Sequence, residues 1–279
     1  MARICYAVMG DALGHVTRAL AVARLLPEHE IVFLGGGEVT RLRGLGYRTV
    51  ELPMADTGMG PGGVNVPATV ARAVGVLAGL PFTVRRLARQ MEALDPALIL
   101  SDFELFTPRA ARLLGRPCVG VDNQHALTLC RPPAWVAPRA LRLLSSVPVW
   151  SMYSVCSSYL IPYFLPLPVR DPARAEVVIP PLRPEVLARR PEQGEHVLLY
   201  ARGPVVGMLP ALLGAAGAPC VVYGLGRRPD QGPHRFRSFS EEGFLDHLAS
   251  CRFVISHGGH SLLAEALHLE KPLFMLPSP

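Results

Sequence analysis

The chain has 279 residues, of which 50% are hydrophobic and 18% charged. This composition excludes a disordered chain, and the length is ample for two packed domains. The net charge of +6 comes almost entirely from arginine; it fits an anionic partner such as a nucleotide diphosphate or a membrane surface, and a codon bias explains it equally well. No nucleic-acid partner is expected, because no nucleic-acid-binding motif occurs and the arginines do not alternate with aromatic residues.

In the first part of the chain, strand-like and helix-like segments alternate. Strands are predicted over residues 3–9, 31–34, 48–52, 97–100, 117–121 and 149–154. Helices are predicted over residues 15–26, 38–45, 66–94, 109–114 and 138–145, with a break or kink at Pro81. Glycines and prolines make residues 53–66 a loop. This repeated order is typical of a parallel sheet built with right-handed crossovers.

A second alternation follows a segment rich in proline and arginine. Strands are predicted over residues 196–200, 220–223, 235–236, 253–256 and 272–276. Helices are predicted over residues 204–215, 241–249 and 259–267. The pattern indicates an N-terminal domain over residues 1–165, a linker over 166–190 and a C-terminal domain over 191–279. Ligands of such sheets bind at the carboxyl ends of the strands.

The most informative motif is a strand that runs into two glycines and then a helix, Phe253 to Leu267. Gly258 and Gly259 let the backbone approach a ligand closely, and the helix N-terminus offers free N–H groups to a phosphate. His257, His260 and Ser261 add side-chain donors, and Glu265 lies one turn after Ser261 on the same helical face. The structural alternative is a tight turn capped by Ser261.

A second motif places His15 after the first strand, at the start of a helix. A neutral imidazole is suited to general-base work, although a lone histidine is more often structural. The spacing of Gly10 and Gly14 differs from the dinucleotide fingerprint, which argues against NAD. Asp102 ends a strand expected near the first one, where it either contacts His15 or caps a helix.

These motifs resemble the GT-B glycosyltransferases, including MurG-like, sterol and plant UDP-sugar enzymes, and in particular a little-characterised prokaryotic branch. The resemblance covers nearly the whole chain. It implies an α/β GT-B fold, with two Rossmann-like domains facing across a cleft. The families usually continue beyond the residue matching Pro279, so the C-terminal domain is expected to be truncated.

The same resemblance implies roles for individual residues. It makes His15 the catalytic base, oriented by Asp102, with Glu104 as a rival base. It implies a donor site formed by Arg202, Ser240, His257, Gly258, Gly259, His260, Ser261 and Glu265. It places four residues on the acceptor side: Glu104, Asn123, Gln124 and His125. Ser240 is equally explained as a helix N-cap.

The function implied is the transfer of a sugar, from a nucleotide-sugar that is a UDP-sugar in the families resembled, to an acceptor hydroxyl. The transfer is expected to be inverting and metal-independent, with no cofactor besides the donor substrate, because no carboxylate cluster suggests a metal. One rival is a UDP-sugar 2-epimerase. Another is a catalytically degenerate protein that only binds nucleotide-sugars. The acceptor stays open between a lipid-linked molecule and a small molecule.

Location and membrane contact are also predicted. None of the six cysteines forms a C-x-x-C pair, no signal peptide precedes the first strand, and no apolar run is long enough to span a bilayer. A cytoplasmic protein is expected. Residues 64–90 mix apolar residues with arginines and are consistent with peripheral contact at the inner membrane face, or with an ordinary core helix whose arginines are solvated.

Overall fold

The computed structural model describes residues 1–11, 13–54, 59–60, 63–64, 66–131, 133, 139–201 and 205–276, and it describes only the backbone of 59–60, 63–64, 66–73, 139 and 141. The chain forms two compact units, Met1–Pro181 and Leu182–Pro279. Both are built on parallel sheets, as the alternation of strands and helices predicts.

The N-terminal unit contains a seven-stranded sheet in the order β3-β2-β1-β6-β7-β8-β9, parallel throughout. Its strands are β1 Arg3–Val8, β2 Glu30–Leu34, β3 Arg48–Val50, β6 Leu98–Asp102, β7 Val119–Val121, β8 Ser158–Pro162 and β9 Ala175–Val178. Between β3 and β6 lies a short antiparallel pair, β4 Met59–Gly60 and β5 Gly63–Val64.

Helices of the N-terminal unit cover both faces of this sheet. They are α1 Leu13–Arg24, α2 Val66–Leu94, α3 Thr107–Leu113, α4 Ala126–Leu129 and α5 Arg139–Pro148. The segment Gly37–Leu45 is a 3₁₀-helix, and Val149–Tyr153 is a π-helix that continues α5. Strand β1 shows why both faces are apolar: Cys5 belongs to the core beneath α2, whereas Tyr6 belongs to the core beneath α1.

The C-terminal unit contains a five-stranded parallel sheet in the order β12-β11-β10-β13-β14. Its strands are β10 Val197–Tyr200, β11 Cys220–Tyr223, β12 Arg235–Phe236, β13 Phe253–Ser256 and β14 Leu273–Met275. Its helices are α6 Pro184–Leu187, α7 Val205–Ala215, α8 Glu241–Ser250 and α9 His260–His268.

The strand predicted at residues 149–154 is wrong, because Val149–Tyr153 is helical. The six residues of this segment are apolar or aromatic apart from two serines, and so short a run does not separate a strand period from a helix period. The predicted linker is also revised. Its middle forms β9, which pairs with β8, and the division between the units falls at Pro181, so α6 belongs to the C-terminal unit.

The register of the sheets brings the predicted motifs to strand ends. In the N-terminal unit Val8 pairs with Asp102, so the turn before α1 leaves the sheet beside the end of β6. In the C-terminal unit Tyr200 pairs with Ser256, two residues before the first of the two glycines, Gly258. Among the described residues, no helix is both long and apolar enough to cross a membrane.

Candidate functional site

His15 and Asp102 meet at the carboxyl edge of the N-terminal sheet. His15 lies in the first turn of α1, and Asp102 is the last residue of β6. The Nδ1 atom of His15 lies 2.6 Å from Oδ1 of Asp102. Because a carboxylate accepts, this contact fixes the proton on Nδ1 of the neutral imidazole and leaves the lone pair on Nε2. The ring is thus held through Nδ1, and Nε2 faces away from Asp102.

Arg18 joins this pair and is almost fully buried. Its Nε donates to Oδ2 of Asp102 at 2.7 Å, and its Nη2 donates to Oδ1 at 2.6 Å. Its Nη1 donates to Oδ1 of Asn123 at 2.8 Å. Asp102 therefore accepts two hydrogen bonds from Arg18 as well as one from His15. Asn123 belongs to the same hydrogen-bonded cluster through its contact with Arg18.

The charges of this cluster are mutually stabilised. Burial alone would raise the pKa of Asp102, but Arg18 and His15 together bring that pKa below its ordinary value. Burial alone would lower the pKa of Arg18, but Asp102 more than offsets this and raises it. Asp102 is thus an anion and Arg18 a cation at neutral pH.

Gln124 lies on the other side of the imidazole. Its side-chain Nε2 is 3.2 Å from Nε2 of His15, the ring nitrogen opposite the Asp102 contact. Phe103 packs beside His15 with the rings nearly parallel and their centroids 6.4 Å apart. The backbone of Phe103 has φ +53°, a left-handed conformation that a bulky residue adopts only when its surroundings enforce it.

Phe103 also forms one wall of a narrow apolar cleft beside the histidine. The cleft lies at the carboxyl ends of β1, β2 and β6, and Met54 and Leu105 contribute to its lining. Tyr153, which also lines the cleft, stacks on Phe103 with 4.0 Å between the ring centroids.

The other two residues predicted on the acceptor side have interior positions. Both carboxylate oxygens of Glu104 accept backbone N–H bonds, from Phe106 and Thr107 at the start of α3. Burial raises the pKa of Glu104, and these bonds oppose the rise. His125 is 1% exposed, with its Nδ1 2.8 Å from Asp122 and its ring against Tyr159. Neither side chain is directed at His15 by these contacts.

In the C-terminal unit, α9 begins at the two glycines as predicted. Gly258 has φ +83°, and a Cβ there would lie 3.2 Å from the sulfur of Met275. Gly259 is the N-cap of α9 and supplies no side-chain bond to the first turn. The ring of His257 stacks on Tyr200 at 6.2 Å. His260 and Ser261 begin α9, so the five predicted donor residues from His257 to Ser261 lie at one helix N-terminus.

Glu265 faces the interior of this unit and is held by Arg183. The Nε and Nη2 atoms of Arg183 both donate to Oε1 of Glu265, at 3.0 Å and 2.5 Å. The Nη1 atom donates to Glu241 at 2.6 Å. Burial raises the pKa of Glu265, and Arg183 opposes the rise. Both bonds end on one oxygen, which leaves Oε2 outside the Arg183 contact.

The remaining donor predictions have different outcomes. Ser240 is the N-cap of α8, and its hydroxyl accepts from the backbone of Gly243 at 3.3 Å. Arg202 lies outside the described residues. Among the side chains that the structure does describe, no three His, Cys, Asp or Glu residues form a group that would hold a metal ion.

Sequence reasoning missed Arg18 and Arg183, the two arginines that hold Asp102 and Glu265. A signal for Arg18 was present, since it lies three residues after His15 and therefore on the same helical face. Arg183 gave no comparable signal, because it lies 82 positions before Glu265 in the sequence and only the tertiary fold brings the two together.

The chain was then compared with known proteins. The profile of glycosyl transferase family 1 matches residues 2–279. The solved structure of Arabidopsis thaliana UGT89C1 complexed with UDP is 16% identical, with a TM-score of 0.63 over 99% of this chain and 80% of that one. Spinosyn forosaminyltransferase SpnP is 17% identical, with a TM-score of 0.59 and coverage of 99% and 80%.

Acinetobacter baumannii MurG is 15% identical, with a TM-score of 0.55 and coverage of 99% and 78%. No curated protein sequence matches. At these identities the structural likenesses establish the fold, which is the GT-B fold of glycosyltransferases, and the expected resemblance to MurG and the UDP-sugar enzymes is confirmed at that level. The match to the family profile covers the chain almost end to end, and the chain therefore belongs to glycosyl transferase family 1.

Proposed function

We propose that this transferase moves a sugar from a UDP-sugar to an acceptor hydroxyl with inversion at the anomeric carbon. The observation that carries the proposal is the contact of His15 with buried Asp102, which leaves Nε2 as the proton-accepting atom. The acceptor oxygen forms the new bond to the anomeric carbon as its proton moves to Nε2. The bond from that carbon to the diphosphate breaks at the same time, and UDP leaves.

The N-terminus of α9 is the proposed site of the diphosphate. Gly259, the N-cap of this helix, has no side chain to occupy the site, and Gly258 and Gly259 keep the approach free of Cβ atoms. Backbone donors and the helix dipole there stabilise the charge of the leaving group without requiring a metal. Oε2 of Glu265, which Arg183 does not bind, is proposed to accept from ribose hydroxyls, with Arg183 fixing the carboxylate. UDP is favoured because one similar structure contains UDP.

The deciding experiment uses UDP binding together with turnover. His15→Ala should bind UDP in calorimetry as the parent does, and transfer should fall about 10²- to 10⁴-fold, the usual contribution of a general base. His29→Ala is the matched control, because His29 is a partly exposed histidine elsewhere in the same unit. Retained transfer in His15→Ala would refute the assigned base.

The same assay separates the rival functions. Release of an epimerised sugar without acceptor would indicate a 2-epimerase, and UDP binding without any turnover would indicate a degenerate binding protein. Addition of EDTA should leave transfer unchanged if the diphosphate is held by backbone donors. No UDP affinity would refute the donor assignment.

Contact with the inner face of a membrane, and hence a cytoplasmic location, forms a second part of the proposal. The supporting feature is the α5 stripe, four exposed apolar side chains on α5 and the following π-helix: Leu143, Leu144, Val147 and Trp150. From Leu105 to Arg170 the sequence has seven arginines and a single acidic residue, Asp122, which is buried. An apolar stripe in a cationic region suits an anionic lipid surface.

Residues 64–90, for which the sequence allows either membrane contact or an ordinary core helix, are less suited to this contact. The second half of α2 packs into the core through Val84, Leu87 and Met91, with Arg85 and Arg86 exposed. That is the ordinary core helix considered as the alternative.

A further inference from the structure

We propose that Gln124 guards the proton-accepting nitrogen of His15 and so makes the base accessible to an acceptor but not to water. The inference rests on the proposed function, since it concerns the same base. Its starting point is the 3.2 Å contact between the amide nitrogen of Gln124 and Nε2 of His15. The acceptor hydroxyl must approach Nε2, because Nδ1 is bound to Asp102.

The contact has a defined direction. With the proton on Nδ1, Nε2 offers only a lone pair, so the amide N–H₂ of Gln124 donates to it. The opposite end of the amide, Oε1, is buried, and it has no hydrogen-bond partner among the described residues. The amide N–H₂ therefore satisfies Nε2 of His15, while the amide oxygen has no partner among the described residues. The net free energy of this contact is only marginally favourable.

A marginal contact is suited to replacement by a ligand. A hydroxyl that donates to Nε2 takes the place of the amide N–H₂, and the released amide is then free to turn its oxygen toward a polar group of the same ligand. An acceptor with an apolar part gains contact with Phe103, whose ring packs beside His15, and this contact favours the exchange. A water molecule has no apolar part and gains nothing there.

Exclusion of water matters for the reaction that His15 is proposed to perform. An activated water at Nε2 would attack the anomeric carbon, forming the carbon–oxygen bond of a free sugar and breaking the bond to UDP. The donor would then be hydrolysed instead of transferred. Gln124 thus acts as a specificity-determining residue, which favours acceptor hydroxyls over water.

The first test needs neither donor nor acceptor. Diethyl pyrocarbonate acylates unprotonated imidazole nitrogens, and mass spectrometry of peptides gives the rates at His15 and at the reference residue His29 in the same full-length protein. In Gln124→Ala the ratio of the His15 rate to the His29 rate should rise about two- to tenfold, the worth of one hydrogen bond. Gln193→Ala, at an exposed glutamine of the C-terminal unit, should leave the ratio unchanged.

Gln124→Glu distinguishes a hydrogen bond that covers Nε2 of His15 from an effect of local packing. A carboxylate at this position stabilises a proton on Nε2, so the acylation ratio should fall below that of the parent. Loosened packing would instead raise the ratio in both variants. An unchanged ratio in Gln124→Ala, or a rise in Gln124→Glu, would overturn the proposal.

The second test measures donor hydrolysis without acceptor, using the UDP-sugar that the parent protein turns over. Gln124→Ala should raise the ratio of hydrolysis to transfer about two- to tenfold. If the acylation ratio changes and the ratio of hydrolysis to transfer does not, the proposal that Gln124 excludes water from the reaction is wrong. If no variant and no parent protein turns over any UDP-sugar, the proposed function fails, and the acylation test still decides whether Gln124 covers His15.

Discussion

Arg18 and Asp102 are both almost fully buried, so each charge depends on the other for the stabilisation that water would otherwise provide. The bidentate contact satisfies both oxygens of Asp102, and one of them also accepts from His15. Arg18 is best described as a positioning residue, because it holds the carboxylate that orients the proposed base, His15.

Removal of either partner should leave a buried charge without its counterion. Arg18→Met and Asp102→Asn are each expected to lower the free energy of unfolding by about 3–5 kcal/mol. The double variant Arg18→Met with Asp102→Leu should lose less than the sum of Arg18→Met and Asp102→Leu measured singly, since no unpaired charge remains. Urea denaturation of the four proteins gives this coupling. Additive losses would mean that the two side chains do not stabilise each other.

The pH dependence follows from the lowered pKa of Asp102. A carboxyl whose pKa is lower in the folded protein contributes stability above its unfolded pKa, about 3.9, and loses that contribution as the pH falls through the lower folded pKa. The stability difference between the parent and Asp102→Asn should therefore be constant near neutrality and shrink below about pH 4. A difference that grows in acid would contradict the assigned direction.

At the scale of elements, the carboxyl end of β13 and the start of α9 form the proposed phosphate site. Positive φ at Gly258 turns the chain between the strand and the helix, and a Cβ there would make a tight contact, 3.2 Å from the sulfur of Met275. Arg183, the residue before α6, then fixes Glu265 in the second turn of α9. One short helix thus carries both a backbone anion site and an oriented carboxylate.

Gly258→Ala should disturb this element in two ways. The left-handed backbone conformation should lower stability by about 1–2 kcal/mol, and displacement of the turn should weaken UDP binding. Gly214→Ala is the control, because Gly214 lies in α7 with open space around its Cβ position and should tolerate alanine. Calorimetry with UDP compares the two variants. Equal affinity for UDP in both would remove the α9 turn from the donor site.

At the scale of the molecule, sequence patterns predicted both parallel sheets and the elements that carry the site. The sequence patterns did not predict the elements whose structure depends on pairing between distant segments. Strands β8 and β9 were not predicted, because β9 joins the sheet through pairing with β8 inside a proline- and arginine-rich segment that reads as a linker. Likewise, the meeting of Arg183 and Glu265 depends on packing between distant segments and leaves no local pattern.

The surface of the N-terminal unit allows a test of membrane contact. The full-length protein should sediment with phosphatidylcholine vesicles that contain about 30% phosphatidylserine, and addition of salt should release it, because arginines near an anionic surface contribute about 1 kcal/mol each. Vesicles of phosphatidylcholine alone should bind it weakly.

Leu144→Glu tests whether the α5 stripe makes this contact, since the side chain is 71% exposed and its replacement should not disturb the core. Binding to the anionic vesicles should fall severalfold, because the change removes apolar area and adds a like charge at the lipid surface. Ile179→Glu is the matched control, at an apolar side chain that is 87% exposed elsewhere in the same unit. An equal loss in both variants would indicate a general effect of charge, whereas a loss confined to Leu144→Glu would assign the membrane contact to α5.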